Sequence, residues 1–272
     1  MFGFLRRFVA SSVPVLCVLF SAASAAPLSA QAAGGAARSY SGPAVKVGDG
    51  TARIVVLADD AGYPSAFGLE LTADALKGLP TTQASDPFLE WHYVLRFPAD
   101  APSTGFDHLT FNWHPHGHIP DKVYTVPHMD FHFYVTSVDE EMAITYAHPG
   151  MPDSADVVMP AADLVPTGYI IPPGTQITRE GLHALSGSAP ELQGKPFTTT
   201  MIYGYHKGRL VFVEPMMTID YLTGRPNATM PMAVPARYSY PGWYPTSYSV
   251  TWDAGRQVYR VMMEGLKRWE TS

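Results

Sequence analysis

Cysteine is almost absent from this chain, and charged residues are few. The single cysteine, Cys17, lies in an apolar stretch near the N-terminus, and charged residues make up 15% of the 272 residues. Without a second cysteine the chain has no internal disulfide and no dithiol redox pair. The 18 basic and 24 acidic residues give a net charge of −6. This sign argues against nucleic acid or an anionic membrane surface as the main partner.

Long apolar runs are also missing. The run Phe8–Phe20 is shorter than the roughly 20 apolar residues that a membrane-spanning helix needs. It follows Arg6 and Arg7 and precedes the small-residue segment SAASAAPLSA, which is the three-part layout of a secretory signal peptide. We therefore predict a signal peptide at residues 1–26 and a disordered, Ala/Gly/Ser-rich linker at residues 27–43. The expected location is secreted or periplasmic, with no membrane contact after cleavage.

Several common catalytic patterns are missing as well. The chain has no G-x-S-x-G nucleophile motif, no glycine-rich phosphate-binding loop and no H-E-x-x-H helix. These absences argue against the serine hydrolases, nucleotide-binding enzymes and metalloproteases that carry those motifs.

Proline and glycine are abundant, and they separate short runs rich in Val, Ile, Tyr, Phe and Thr. The chain has 25 prolines and 23 glycines, and this spacing is typical of many short strands joined by turns. We predict an all-β fold, a barrel or sandwich of mostly antiparallel strands with long loops at 149–173 and 226–245. It would form one domain at residues 44–272, with a C-terminal hairpin subregion at 240–272. The predicted strands are Ala52–Ala58, Ala66–Leu71, Phe88–Phe97, His108–Trp113, His128–Ser137, Thr198–Tyr205, Arg209–Val213, Thr246–Trp252 and Gln257–Met263, and the predicted helices are Thr72–Lys77 and Val138–Met142.

Histidines are concentrated in one short region. Five of the ten lie between His114 and His132, and the segment Val126–Val135 alternates polar with apolar side chains. In a strand, residues at i, i+2 and i+4 point to the same face, about 6.5–7 Å apart. We therefore expect His128, Asp130 and His132 to share one face, with the apolar residues between them packed into the core.

Two imidazoles and a carboxylate on one strand face are side chains that can bind the same metal ion. Asp130 would be a ligand itself or would orient a histidine by accepting its second ring proton. Further ligands must come from other segments of the chain. Glu214 lies at the end of an apolar strand, and we expect it to be paired or functional because burying an unpaired carboxylate is costly. The predicted metal ligands are His118, His128, Asp130, His132, His183 and Glu214.

These residues leave three functions open. The first is an exported binding or structural protein that holds zinc, manganese, iron or copper, or a small molecule, at this site. The second is a metal-dependent enzyme with a cupin-like site acting on a small molecule, in which Glu214 or Asp130 serves as general base. The third is a structural oligomer whose histidines form hydrogen bonds without metal, and a merely solvated polar face is the simplest alternative.

The histidine region also resembles a known family. The pattern W-x-P-x-G-H-x-P from Trp113 to Pro120, followed by P-H-x-D-x-H-F-Y from Pro127 to Tyr134, is similar to an uncharacterised family of secreted bacterial proteins catalogued as a domain of unknown function. The later segments Gly181–His183, Phe212–Met216 and Tyr244–Tyr248 extend this resemblance.

The resemblance implies a β-rich, exported protein that assembles as a homo-oligomer, and it implies no reaction. It supports the same six predicted ligands. His114 and His116 occupy positions at which the family is not expected to require histidine. Ile119 stands where an acidic residue is common in the family.

Overall fold

The structure, a computed structural model, describes residues 38–82, 91–146 and 157–270. The predicted signal peptide at residues 1–26, Cys17 and residues 27–37 of the predicted linker lie outside the described residues. The first three residues of the predicted strand Phe88–Phe97 also lie outside them. In the part of the chain that is described, no helix is long and apolar enough to cross a bilayer.

Short strands make up nearly half of the described chain. In chain order they are β1 Arg38–Ser41, β2 Val45–Val47, β3 Gly50–Ala58, β4 Pro64–Thr72, β5 Trp91–Arg96, β6 His108–His114, β7 His128–Tyr134, β8 Tyr169–Ile170, β9 Gln176–Ile177, β10 Gly181–Ser186, β11 Thr199–His206, β12 Arg209–Thr218, β13 Asn227–Pro231, β14 Gly242–Tyr244, β15 Ser247–Asp253, β16 Val258–Glu264 and β17 Lys267–Trp269. The helices are α1 Val138–Met142 and α2 Ile219–Thr223, with short 3₁₀ helices at Ala73–Leu76, Ala162–Leu164 and Pro190–Gln193.

Two antiparallel sheets form a sandwich. The first sheet has the order β1-β3-β4-β16-β15-β13, with β2 also paired to β3. The second sheet has the order β5-β6-β7-β12-β11-β10-β8, with β9 also paired to β10, and β14 pairs with β17 separately. The all-β prediction is confirmed, and of its two forms the sandwich is the correct one, because each sheet of described residues ends in open edges.

The apolar face of β7 lies in the core between the sheets. Met129, Phe131 and Phe133 are fully buried in one hydrophobic cluster with residues of the first sheet. The rings of Phe133 and Phe67 are 5.7 Å apart in an edge-to-face arrangement, the geometry that aromatic pairs favour. This packing turns the opposite face of β7 away from the first sheet.

Several elements differ from the sequence prediction. Arg38–Ser41, expected within the disordered linker, forms β1 and pairs with β3. The segment 226–245, expected to be a loop, contains β13, which pairs with β15 through backbone bonds. Such short polar strands lack the apolar alternation by which strands are recognised in a sequence. Strand β12 continues past the predicted end at Val213, since its pairing with β11 runs on without a break to Met217 and its pairing with β7 resumes at Met216.

The predicted C-terminal hairpin is formed by β15 and β16. Strand β16 pairs with β4, so the hairpin lies inside the first sheet. Of the two predicted helices, α1 is confirmed and begins with a capping box between Ser137 and Glu140. The other is only a 3₁₀ turn at Ala73–Leu76.

A buried carboxylate binds three arginines on the outer face of the first sheet. Glu70 on β4 is 4% exposed and accepts hydrogen bonds from Arg256 and Arg260, while the Nε of Arg53 lies 3.4 Å from its Oε2. Burial would raise the pKa of Glu70, but the hydrogen bonds and charges of Arg256 and Arg260 outweigh it and lower the pKa. Glu70 therefore stabilises the fold in its ionised form.

We expect Glu70→Gln to lower the free energy of unfolding by about 1–3 kcal/mol at pH 7, since hydrogen bonds to a charged group are lost. Folding lowers the pKa of Glu70. Its contribution to the free energy of unfolding is therefore complete above its pKa in the unfolded chain, about 4.3, and is lost as the pH falls through its pKa in the folded protein. Urea unfolding of both proteins across this range measures the difference. Asp74→Asn, which alters an exposed carboxylate, is the control with little effect. A difference that persists below the folded-state pKa would contradict the assignment.

Candidate metal centre

The polar face of β7 is buried rather than solvated. His128, Asp130 and His132 are 0%, 3% and 1% exposed. A second hydrophobic cluster covers this side of the second sheet and comprises Tyr124, Tyr134, Ile144, Tyr146, Leu185, Phe197, Ile202, Val211, Phe212 and Met216. The interpretation of a solvated face is therefore wrong, and the three polar groups need partners within the protein.

The loop between β6 and β7 returns a histidine to this face. Gly117 has φ of 70°, a left-handed conformation that favours glycine, and a Cβ there would collide with the backbone oxygen of Tyr124. After this turn His118 points inward, while His116 is exposed. Glycine is thus required for the sharp return of the chain that brings His118 to the strand face.

Three imidazoles converge on one carboxylate. Asp130 Oδ2 lies 2.9 Å from His114 Nε2 and 3.1 Å from His118 Nε2, and Asp130 Oδ1 lies 3.3 Å from His128 Nε2. One ligand atom from each of these residues lies within 4.8 Å of those of the others, so the group could hold a metal ion. We call His114, His118, His128 and Asp130 the Asp130 cluster.

Two rings of the Asp130 cluster are held by backbone carbonyl oxygens. His118 Nδ1 donates to Ile119 O, and His128 Nδ1 donates to Val126 O, each at 2.6 Å. Because a carbonyl oxygen can only accept, the proton of each neutral ring is on Nδ1 and the lone pair is on Nε2. This is how metal-binding histidines are commonly oriented.

The electrostatics of Asp130 reflect its three neighbours. Burial alone would raise its pKa, but the positive charge that His128 or His114 carries when protonated, and the close approach of the His114 and His118 rings, hold the pKa well below the usual range. Burial lowers the pKa of His128. An ionised carboxylate and a neutral imidazole are the forms in which these groups bind metal.

A second group of titratable side chains lies beside the first. Glu180 Oε2 lies 3.2 Å from His183 Nε2, and Glu180 Oε1 lies 3.8 Å from His132 Nε2. His132, Glu180 and His183 also bring ligand atoms within 4.8 Å of one another and could hold a metal ion. We call these three residues the Glu180 cluster. Glu214 on β12 adjoins it, with Oε1 3.2 Å from His132 Nε2.

Burial and neighbouring charge set the ionisation of these groups. Burial lowers the pKa of His132 to about 4, so its ring is neutral at pH 7. Burial, together with the negative charges of Asp130 and Glu180, raises the pKa of Glu214 well above its ordinary value. Burial would lower the pKa of His183, but its hydrogen bond to Glu180 and the charge of that group raise it.

The structure divides the six predicted ligands between the two clusters. His118, His128 and Asp130 meet in the Asp130 cluster. His132 and His183 meet in the Glu180 cluster, with Glu214 at its side. Asp130 faces three rings through both its oxygens, which is the position of a ligand as well as of an orienting group.

Sequence reasoning omitted His114 and Glu180. His114 is the last residue of β6 and lies directly opposite His128 in the antiparallel register. The polar alternation His108, Thr110, Asn112 and His114 along β6 could have revealed it, once β6 and β7 were taken as neighbours. Glu180 precedes β10 in a turn and carries no local signal, because it is brought to His132 only by the pairing of distant strands.

Two other histidines have hydrogen-bond partners outside these clusters. His108 contacts Asp107 through Nδ1 at 2.9 Å and Glu141 through Nε2 at 2.8 Å. His92 Nδ1 lies 3.1 Å from the side-chain oxygen of Asn112. Both histidines take part in hydrogen-bonded networks.

A cavity of about 570 Å³ borders both clusters. Its polar wall includes His118 and Asp130 from the Asp130 cluster, Glu180 and His183 from the Glu180 cluster, and Glu214. This volume is within the range of about 300–1,000 Å³ typical of small-molecule sites.

Comparisons with known proteins bear on only part of the chain. No curated protein and no solved structure matches it. A family model described as TTHB210-like, hypothetical protein TTHB210, matches residues 59–113. The match ends at Trp113, before the histidines of the two clusters, and covers β4, β5 and all of β6 except its last residue, His114. Residues 59–113 are thus similar to an uncharacterised family of unknown function.

Proposed function

We propose that this protein is an exported metal-binding protein whose ion is held by His114, His118, His128 and Asp130. These residues come from the end of β6, the following loop and β7, so one connected unit of the second sheet supplies all four. Three of them are fully or nearly fully buried, and His118 is partly buried at the cavity wall. The site is therefore shielded from solvent on most sides, and the cavity gives an ion access to it.

A single observation supports this proposal most strongly. The Nε2 lone pairs of His118 and His128 face the oxygens of Asp130, because the Nδ1 atoms of both rings donate to backbone carbonyls. Lone pairs and a carboxylate repel one another at about 3 Å unless a proton or a cation lies between them. A metal ion satisfies all of these acceptors at once, whereas a network without metal would need positively charged rings in a buried site.

The donor set favours a borderline transition metal. Three imidazole nitrogens and one carboxylate oxygen suit zinc, and manganese and iron accept the same donors. Ligand atoms of a tetrahedral zinc site lie roughly 3.3 Å apart when each bond is about 2.0–2.1 Å. Asp130 Oδ2 lies 2.9 Å from His114 Nε2 and 3.1 Å from His118 Nε2, and Asp130 Oδ1 lies 3.3 Å from His128 Nε2, distances near that spacing. Zinc is thus the first ion to test. Copper is the second, because a given site generally binds divalent copper more tightly than the other divalent first-row metals.

Metal analysis with matched variants tests the proposal. Wild-type protein purified without chelator and given zinc is expected to retain at least one ion per chain after gel filtration. His128→Ala is expected to lose that ion. His116→Ala changes an exposed histidine of the same loop and is expected to retain it. Inductively coupled plasma mass spectrometry gives the stoichiometry, and circular dichroism verifies that each variant is folded.

The result that overturns the proposal is a folded wild type that neither contains nor takes up stoichiometric metal. Because His128 is fully buried and its loss could disturb packing, His118→Ala at the cavity wall serves as a second variant. Retention of the ion by both variants would likewise contradict the proposed ligands.

Export and self-association complete the proposal. Export is supported by the Arg6–Arg7 pair, the apolar run and the small residues that follow it. Self-association is supported only by the family resemblance. Subcellular fractionation of the full chain, with N-terminal sequencing of the product, tests cleavage near residue 26. Sedimentation velocity of the product tests the assembly.

A further inference from the structure

We infer that His132, Glu180 and His183 bind a second metal ion, with an open coordination position facing the cavity that takes the anionic head group of a small apolar ligand. The inference rests on the proposed function, since it assigns a second ion and a ligand class to the same metal-binding region. It separates the six predicted ligands into two sites with different tasks.

The Glu180 cluster has the geometry of a ligand set. Each oxygen of Glu180 faces one imidazole, at 3.2 Å for His183 and 3.8 Å for His132. His183 Nδ1 donates to Thr175 O at 2.9 Å and to Gly181 O at 3.2 Å, so the Nε2 of this ring is directed at the carboxylate. Orientation by backbone acceptors recurs here as in the Asp130 cluster.

Buried atoms in this cluster lack partners. His132 Nε2 and Glu214 Oε2 have no hydrogen-bond partner among the described residues, and their side chains are 1% and 2% exposed. Burying such groups without a partner destabilises a fold. A cation between His132, Glu180 and His183 would satisfy the ring nitrogen, and water bound to that cation would satisfy Glu214.

The two ligand sets are separate. The three rings of the Asp130 cluster approach Asp130, whereas His132 and His183 approach Glu180. Asp130 and His132 lie two positions apart on the same face of β7, with Cα atoms about 6.5–7 Å apart. Two ions therefore fit side by side along this strand without sharing a ligand.

The number of protein ligands distinguishes the two sites. The Asp130 cluster offers four, which closes a tetrahedral ion as in structural sites. The Glu180 cluster offers two histidines and one glutamate, the set that in catalytic zinc sites leaves the fourth position to water or substrate. Glu214 lies next to this position and lines the cavity, where it can accept a hydrogen bond from a bound water.

The cavity specifies the class of ligand. Glu180, His183 and Glu214 lie on its polar wall, and Ile177, Leu185 and Met216 are among its apolar lining. A small molecule with one metal-binding anionic group and an apolar body complements both parts. Carboxylates and hydroxamates with a short alkyl or aromatic body have this chemistry.

Cobalt(II) titration tests the second site, because the visible absorption of cobalt reports its coordination. Wild-type protein is expected to bind two equivalents, and His183→Ala and Glu180→Gln one each. Octanohydroxamate is expected to change the absorption of the second equivalent in wild type. It should leave the spectrum of His183→Ala, which keeps only the closed site, unchanged. His116→Ala is the control with two equivalents and the full response.

The outcomes separate this inference from the proposed function. One equivalent in wild type, lost in His128→Ala and kept in His183→Ala, would overturn the second site and leave the first intact. Loss of all cobalt in both His128→Ala and His183→Ala, with each variant folded by circular dichroism, would indicate one shared site and also overturn it. Two equivalents without any response to octanohydroxamate would overturn the open position. Absence of cobalt binding in wild type would overturn the proposed function as well.

Discussion

Asp130→Asn is expected to weaken metal binding at the Asp130 cluster by more than about 100-fold, since loss of an outer-shell partner alone costs 10- to 100-fold. The amide keeps the shape of the carboxylate but removes its charge. Among the described residues, Asp130 is the acidic group that the rings of His114, His118 and His128 all approach. Competition against a chromophoric chelator measures the affinity. Equal affinity in variant and wild type would show that Asp130 is not a ligand.

The same variant is expected to lose the stabilisation that metal gives to the fold. An ion that binds only the folded state adds about 4 kcal/mol when its free concentration is 1,000 times Kd. Thermal unfolding of wild type should therefore shift to a lower Tm on addition of chelator, and that of Asp130→Asn should shift less, because this variant has lost the ion of the Asp130 cluster. Asp121→Asn, which removes an exposed carboxylate at the cavity mouth, is the matched control and should respond as wild type does. A wild type indifferent to chelator would contradict metal binding at both clusters.

Phe133→Ala is expected to lower the free energy of unfolding by about 3–5 kcal/mol, the usual cost of removing a fully buried aromatic ring from a core. Phe133 is 0% exposed, and its ring packs against Phe67 of the first sheet. The variant would leave a cavity at the centre of the sandwich, which rigid sheets fill only in part. Urea unfolding followed by tryptophan fluorescence measures the change.

Two controls make the result specific to the core face of β7. Phe133→Leu keeps most of the apolar volume and should cost less than the alanine variant. Ile119→Ala truncates a side chain that is 47% exposed and should change stability little. If Phe133→Ala costs no more than Ile119→Ala, the assignment of Phe133 to the core between the sheets is wrong.

The alternation along β7 could be predicted because it is a local property of the chain. Side chains in a strand alternate between faces, so His128, Asp130 and His132 had to share a side once the segment was extended. The apolar residues between them fixed which side faces the core. The all-β class followed from the same reasoning, from short β-branched and aromatic runs between proline and glycine turns.

Membership of the two clusters could not be predicted in full. The pairing of β6 with β7 brings His114 opposite His128, and the pairing of β10, β11 and β12 brings Glu180 and His183 beside His132. These pairings depend on which strands become neighbours, and no local pattern specifies that choice. Short strands such as β13 were missed for a related reason, since backbone pairing and not side-chain pattern defines them.

By itself the sequence determined the β-rich class, the two faces of β7 and the residue types able to hold a metal. The tertiary structure alone decided that the polar face is buried, that its groups form two clusters, and that both border one cavity. Burial is the physical reason for the difference. The free-energy cost of burying an imidazole or carboxylate depends on the solvent and the charges around it. Segments such as 114–124 and 172–183, which fold over β7, determine both.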